Sequence, residues 1–563
     1  MKKNQDYDVI VIGTGITGGW AAKELCENGL KTLVLERGRM VEHIKDYPTM
    51  YKDPWDFEFR GETTREEKLR QEKQGRAGVT SMARKHFFVD DIKHPYNEIK
   101  PFNWIRGYHV GGRSLTWGRQ SYRWSDLDFT ANKKDGHGVD WPIRYNDIEP
   151  WYEHVERFIG VSGEKLNLPH SPDSIFEPPM ELKCAEIQLK EGLAKNYSDR
   201  VLTPGRTAHL TKGEGFKGRG KCQYRNRCMR GCYIGGYFSS NASTLPAAQE
   251  TGNMTLRPHS IVHEIIYDDT LKKATGVRVI DAKTKEKIVF NAKVIFCCAS
   301  TVASTSILLQ SKSDRFPNGL GNDSGELGHN LMDHHTGAGA SGKTNKYDDK
   351  YYKGGRPSGI YVPRFRNLGE KESKINYLRG FAYQGAASRN NKADTIDEYG
   401  FGAAFKEKML EPAGWTMGLG GFGECLPNHE NKMTLDYNKL DEWGLPTVTF
   451  DAEWKENELK MREDMAQEAA EMLEKSGFTD VKKHNGSPNF GIGIHEMGTA
   501  RMGRDPKTSI LNSNNQVHTV KNVYVTDGSC MSSSGCQNPS LTYMAITARA
   551  ANHAIDQIKT NKL

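Results

Sequence analysis

The sequence predicts an α/β chain of two domains, one built on a parallel sheet and one on an antiparallel sheet, from three observations. The first 36 residues read as strand, glycine turn, helix and strand in quick succession. Residues 340–420 are rich in Gly, Tyr, Asn and Lys and lack a helical period, which suits loops and antiparallel strands. The last 70 or so residues return to a glycine-flanked histidine and an apolar-striped helix. A chain of 563 residues is also longer than a single core usually fills.

Val9-Ile-Val-Ile12 is a short continuous apolar run, as expected of a buried parallel strand. Gly13-Thr-Gly15-Ile-Thr-Gly18 follows at once. In such a loop Gly13 permits the tight turn, Gly15 lets the backbone approach a pyrophosphate, and Gly18 lets helix and strand pack closely. The helix start offers backbone N–H groups to phosphates. Trp20–Leu25 begins the helix, Gly29 ends it, and Lys31–Glu36 is the second strand. Glu36 stands where an acid can bind a ribose hydroxyl pair. A lone glycine fingerprint is weak evidence; strand, loop, helix, strand and acid in order make a strong case for a Rossmann-like dinucleotide-binding unit.

Residues 60–75 are dense in charge and read as a solvated helix or lid without chemistry, and residues 107–118 as a glycine-rich loop containing Gly111 and Gly112. Val294–Cys298 is a second buried strand, with Cys297 and Cys298 in the core, followed by a helical run at Ser306–Leu309. Residues 453–477 are helical, with Leu459, Met461, Met465, Ala469 and Met472 on the apolar stripe. Gly491-Ile-Gly-Ile494 reads as a narrow strand leading to His495. Asn538-Pro539 reads as an N-cap followed by the first residue of a helix. The stripe of that helix is Leu541, Met544, Ala548, Ala551 and Ile555.

Composition excludes several classes. Hydrophobic residues make up 36% and charged residues 26%, as in globular proteins, and the net charge of +7 is spread along the chain, so nucleic acid is not expected. No apolar run approaches the roughly 18 residues that span a bilayer, so direct membrane insertion is not expected. The N-terminal stretch has two lysines but no apolar core or Arg-Arg pair, so no secretory signal is expected in it. Ten cysteines are too few for a disulfide scaffold.

The chemistry concentrates near His495 and Asn538. A lone histidine is more often structural, but this one lies in His495-Glu-Met-Gly-Thr-Ala-Arg-Met-Gly503, between glycines, with Asp527-Gly528 and Asn538-Pro539 downstream. Oxidising an alcohol removes a hydroxyl proton and a hydride. A neutral imidazole can take the proton, and an amide can orient the same oxygen without titrating. The helix start after Asn538 can face a cofactor that becomes negatively charged. His-Glu-Met-Gly-Thr is not the His-Glu-x-x-His of a zinc protease.

With these segments in view, the chain resembles the glucose–methanol–choline oxidoreductase family. Matching stretches run nearly end to end: Gly13–Gly18 with Glu36, the Gly111-Gly112 loop, Trp141–Asp147, Val294–Leu309, Gly328-His-Asn-Leu-Met-Asp-His334, Glu430–Asp436 and the C-terminal block. The resemblance implies FAD, with His495 as the catalytic histidine, Asn538 at its partner position, and Asp527-Gly528 along the ribityl and pyrophosphate. It places His334 and His335 structurally, against a metal role. His109 lies near the glycine loop but matches no clear attachment histidine, so noncovalent FAD is expected. The implied organisation is an FAD-binding domain in residues 1–335, a substrate-binding domain in 336–489, and the rest of the FAD-binding domain in 490–563.

Cys222-Gln-Tyr-Arg-Asn-Arg-Cys228-Met-Arg-Gly-Cys232 is the second informative segment. A disulfide would leave one cysteine over, and zinc would need a fourth ligand that is not close in sequence. Three thiolates amid Lys221, Arg225, Arg227 and Arg230 suit a three-iron cluster, with reactive or structural thiols as the alternative. The resemblance favours the cluster, because bacterial FAD-dependent glucose and glucoside 3-dehydrogenases carry three cysteines at similar spacing for a 3Fe–4S cluster. It also implies a cytochrome acceptor and a small subunit that carries the export signal, hence a periplasmic location by co-export, with a cytoplasmic one as alternative. Cys530 and Cys536 are expected as free thiols.

The expected function is oxidation of a sugar or glycoside secondary alcohol, best the 3-hydroxyl of glucosides. Alternatives are glucose C1 or sugar-acid C2 oxidation, an oxygen-using oxidase, a lyase that keeps FAD as structure, and a noncatalytic electron-transfer subunit. The Tyr, Trp and Asn of 350–420 would suit a sugar site.

Overall fold

Val9, Ile10, Val11 and Ile12 have no polar side chain to keep in water, and in the computed structural model they form the central strand of a parallel sheet, almost fully buried. The structure describes residues 7–213, 215–216, 218–347, 349–350, 357–369, 375–389, 401–410, 413–486 and 489–563. In chain order the main elements begin with β1 (Tyr7–Ile12), α1 (Ile16–Glu27), β2 (Thr32–Leu35), α2 (Tyr145–Ile159), α3 (Cys184–Asn196) and β3 (Thr203–Pro204). Then come β4 (Met254–Arg257), β5 (Ser260–Asp268), β6 (Lys273–Asp281), β7 (Lys287–Cys297) and α4 (Thr301–Gln310). They continue with β8 (Ala338–Thr344), β9 (Ile360–Val362), β10 (Phe381–Arg389), β11 (Trp415–Gly423), α5 (Glu456–Lys475) and β12 (Thr479–Asn485). The chain closes with β13 (Gln516–Val517), β14 (Val520–Val525) and α6 (Ser540–Lys559).

The first sheet has the order β13-β14-β7-β1-β2-β4, with β5 and β6 attached to β7 as an antiparallel pair. From β14 to β4 the strands are parallel; Val9 sits between Thr32 and Val294, and Ile295 pairs with Val523. The sheet is thus assembled from both ends of the sequence, and α6 packs on α1 and α2. Cys297 and Cys298 are buried in this core, as free thiols.

The second sheet is antiparallel throughout, in the order β12-β8-β11-β10-β9-β3. In β11 the residues alternate between buried and half-buried, so Trp415, Met417 and Leu419 share one face. Met461, Met465 and Met472 of α5 join them in one core. That core also draws Ala185, Leu189, Leu193 and Leu202 from α3 and its exit, ahead of residue 335.

Several local expectations are corrected. The helix α1 starts at Ile16, ahead of Trp20. Leu459 is 44% exposed and leaves the buried stripe of α5, which runs through Met461, Met465, Ala469 and Met472. A helix at Ala403–Leu410 lies inside the stretch read as loops and strands; none of its residues is buried, so no apolar period marks it. Residues 60–75 hold two short helices, and the second is not wholly solvated. Gln74 is buried, donating to Asp91 and the Trp104 carbonyl and accepting from Arg106 N.

Candidate active site

The turn after β1 shows why glycine is needed there. Gly13 has φ +98°, and a Cβ on it would stand 2.5 Å from the Cys298 carbonyl oxygen; one on Gly18 would stand 2.1 Å from the Gly13 carbonyl oxygen. At Gly15 a Cβ would meet nothing within 4 Å, because that position opens onto a cavity of about 600 Å³ at the start of α1. Gly13, Gly15, Glu36, Gly112, Asp527, Gly528, His495 and Asn538 all line this one cavity. Gly18, Gly111 and Pro539 do not. Gly111 gives room to the Asn241 side chain behind the wall, and Pro539 precedes α6.

Glu36 accepts hydrogen bonds from the Thr14 hydroxyl and from Gly38 N–H, and burial raises its pKa. Asp527 accepts from Ser304, from the Ser529 hydroxyl and from Ser529 N–H, and burial raises its pKa too. The cavity is therefore lined both by a glycine cradle at a helix N-terminus and by the His495/Asn538 pair, which fits a bound dinucleotide reaching both.

His495 does not end a strand. Gly491 has φ +83° and the preceding segment is a turn. Ile494 and Thr499, both β-branched, take φ +58° and +75°, a conformation that costs roughly 1–2 kcal/mol per residue. Two charged groups hold this backbone. The Asp333 carboxylate accepts Gly493 N–H at 2.8 Å and His495 N–H at 2.9 Å. Arg113 pairs with Glu496 at 2.8 Å and donates to the Ile494 carbonyl at 3.3 Å. Burial, with Glu496 close by, pushes the Asp333 carboxyl up to about 7.

Asn538 Nδ2 lies 3.4 Å from His495 Nε2. The expected N-cap role of Asn538 is corrected: α6 begins at Ser540 with Pro539 at the cap position, and no side chain caps it. The Asn538 amide is held sideways, its oxygen accepting from Gln384 Nε2 on β10, and so is not free to turn onto the helix. Burial, then His334 and Arg113, hold the His495 pKa well below the usual value, so its ring is neutral at ordinary pH. His334 is more than structural filler, because its Nδ1 lies 2.8 Å from His495 Nδ1.

Cys222, Cys228 and Cys232 lie outside the cavity as half-buried free thiols. Among the described residues, no three Cys, His, Asp or Glu converge on one metal-ion position. The thiols are nonetheless close enough to repel one another as thiolates. Burial pushes Cys222 up to about 11, with Cys228 and Cys232 adding to it, while the Arg119 guanidinium opposes. Cys228 is likewise raised by burial first, against Arg119. Arg219, 2% exposed, donates from Nε to the Gly235 carbonyl but has neither Nη atom bonded to a partner, and burial lowers its pKa to about 10. Although no fourth ligand is close in sequence, the fold puts His209 Nε2 3.7 Å from Cys228 Sγ. Arg227 pairs with Asp53 and Arg230 donates to the Lys52 carbonyl, pinning the loop. Met229, next to Cys228, lines the same cavity as His495.

The sugar-site reading of 350–420 finds little support in the described residues. Tyr361, Tyr377, Tyr383 and Trp415 are core residues, and from 357–420 only Pro357 and Gln384 reach the cavity. Residues 351–356, 370–374, 390–400 and 411–412 of that stretch lie outside the described residues. Cys530 and Cys536 are free and buried. Sequence reasoning missed Gln384, Arg113 and Asp333 in the site. Asp333 lay in Gly328–His334 and Arg113 in the glycine-rich loop 107–118, both segments already singled out, whereas nothing in 350–420 marked Gln384 in particular.

Comparison with known proteins bears on the family and the fold. Two sequence profiles described as GMC oxidoreductase match, the N-terminal one over residues 7–336 and the C-terminal one over 427–547. The chain is similar to 2-methyl-1,2-propanediol dehydrogenase of Mycolicibacterium austroafricanum, at 28% identity over 97% of this chain and 94% of that one. It is similar to the fructose dehydrogenase large subunit of Gluconobacter japonicus, at 24% identity over 98% of each. A solved formate oxidase variant from Aspergillus oryzae RIB40 shares the fold with a TM-score of 0.63, at 14% identity over the whole of both chains.

Proposed function

Because the chain belongs to the GMC oxidoreductase family, FAD-dependent enzymes that act on CH–OH groups, we propose that it is a dehydrogenase of a sugar or glycoside secondary alcohol, best the 3-hydroxyl of glucosides. The observation that carries this reading is the His495/Asn538 pair, 3.4 Å apart, lining the same cavity as the Gly13–Gly15 cradle. His495 Nε2 takes the hydroxyl proton. Asn538 Nδ2–H donates to the same oxygen, and Gln384 fixes which face of the amide it presents. Asp333 and Arg113 hold the strained backbone that aims the imidazole. When bound in this cavity, FAD would supply the hydride acceptor.

Cys222, Cys228 and Cys232 would hold a 3Fe–4S cluster, which would supply a one-electron path to an external acceptor. What supports this is three half-buried free thiols close in sequence, of which burial raises Cys222 and Cys228 in pKa, with Arg119 and the two unbonded Nη atoms of Arg219 available to balance a negative cluster. Met229 brings this loop to the cavity wall. The large-subunit relative supports a multisubunit assembly. The reading extends to a small subunit, a cytochrome acceptor and a periplasmic location by co-export, with 336–489 as the substrate-binding domain.

The test is anaerobic incubation of the purified enzyme with methyl glucoside or glucose and an artificial acceptor, with the new carbonyl located by NMR. We expect flavin bleaching and a 3-keto glucoside. A product oxidised only at glucose C1 would move the assignment to that carbon. Failure of every sugar and simple alcohol to bleach the flavin would sink the dehydrogenase reading.

A further inference from the structure

His334 and His495 meet nitrogen to nitrogen, Nδ1 to Nδ1 at 2.8 Å, with ring planes 84° apart. So short a contact requires a hydrogen on one nitrogen and a lone pair on the other. The far side of His334 decides which. Its Nε2 lies 2.9 Å from the Gly535 carbonyl oxygen, which can only accept, so Nε2 carries the hydrogen. The ring is neutral, because burial holds its pKa down at about 4. A neutral ring with Nε2–H has its lone pair on Nδ1. The hydrogen in the short contact therefore belongs to His495 Nδ1, and His495 Nε2 is left with the lone pair. The other side agrees, since Nε2 faces the Asn538 amide nitrogen, a donor whose orientation Gln384 sets through the amide oxygen.

From this chain we infer that His334 is a positioning residue that selects the Nδ1–H tautomer of His495 and so leaves Nε2 as the base. A free histidine side chain favours the opposite tautomer, so the selection is work that the fold performs. The same contact serves after proton uptake, because the Nδ1–H of the charged ring still donates to His334. The inference rests on His495 being the base of the proposed reaction and adds what makes it one.

Two measurements test it. In holoenzyme labelled with ¹⁵N-histidine, the His495 ring, assigned by the signals lost in His495→Asn, should show a protonated Nδ1 and an unprotonated Nε2. In stopped-flow reduction, His334→Leu should slow flavin bleaching by about 10–100-fold, the usual size for removing an outer partner, with the apparent sugar Kd little changed. His334→Asn, whose amide oxygen can stand near the lost Nδ1, should restore most of the rate. A wild-type His495 carrying its hydrogen on Nε2 overturns the inference, as does a His334→Leu enzyme that reduces as fast as its parent. If His334→Leu does not fold, the wild-type tautomer and His334→Asn still decide. If no alcohol bleaches the wild-type flavin, the proposed reaction fails, while the tautomer remains readable.

Discussion

His495 is a weakly basic ring in a strained turn, and its value as a base comes from what surrounds it: Asp333 on its backbone, His334 on Nδ1 and Asn538 at Nε2. Replacing it with alanine should slow anaerobic flavin reduction at saturating sugar by about 10²–10⁴-fold, the range for losing a general base. Asn538→Ala should cost less, since it removes orientation and leaves the proton acceptor. Stopped-flow absorbance checks both, and a His495→Ala enzyme as fast as its parent would take this residue out of the mechanism. At this scale the sequence was legible where glycines and a paired amide marked the spot. Gln384 was not legible, because 154 residues separate it from Asn538 and only the pairing of β10 into the sheet aims it there. The tautomer was not legible either, since it depends on a carbonyl at Gly535 that no pattern of side chains reveals.

The turn between β1 and α1 invites a paired prediction. Gly15 opens onto the cavity, whereas Gly18 touches the Gly13 carbonyl. Gly15→Ala should leave apoprotein Tm near that of the parent and weaken FAD retention, with overpacking of about 1–3 kcal/mol falling on the cofactor. Gly18→Ala should lower Tm itself, because the same strain falls on helix and strand. FAD-to-protein ratio and apoprotein melting separate the two; equal loss of Tm in both would contradict the roles. Elements with a long period or a continuous apolar run, such as β1, α5 and α6, could be read from sequence. Ala403–Leu410 could not, because an exposed helix needs no apolar stripe. Nor could α3, whose low amphipathic contrast hides that it packs against the antiparallel sheet.

For the molecule as a whole, the cysteine loop touches the cavity wall through Met229 but lies outside the His495 site, so the two half-reactions should separate. The purified protein should hold about three irons per flavin, and Cys228→Ser should lose iron. That variant should still be bleached by sugar, while reoxidation by a one-electron acceptor slows sharply. Iron analysis and EPR beside the two half-reactions check this, and no iron in anaerobically prepared protein would leave the cysteines as plain thiols. The assembly of the parallel sheet has a further consequence for how the protein is made. β14 lies beside β7, and α6 lies on α1, although about 500 residues of chain separate β1 from β14. At roughly 5–20 residues per second, β1 and its glycine turn leave the ribosome some 25–100 s before the strand and helix that complete their layer. Through that interval the nascent chain carries an exposed sheet edge and half a cradle. Cofactor loading is therefore a post-translational event, and a shortage of FAD or of a holding chaperone would show first as aggregation of newly made chains.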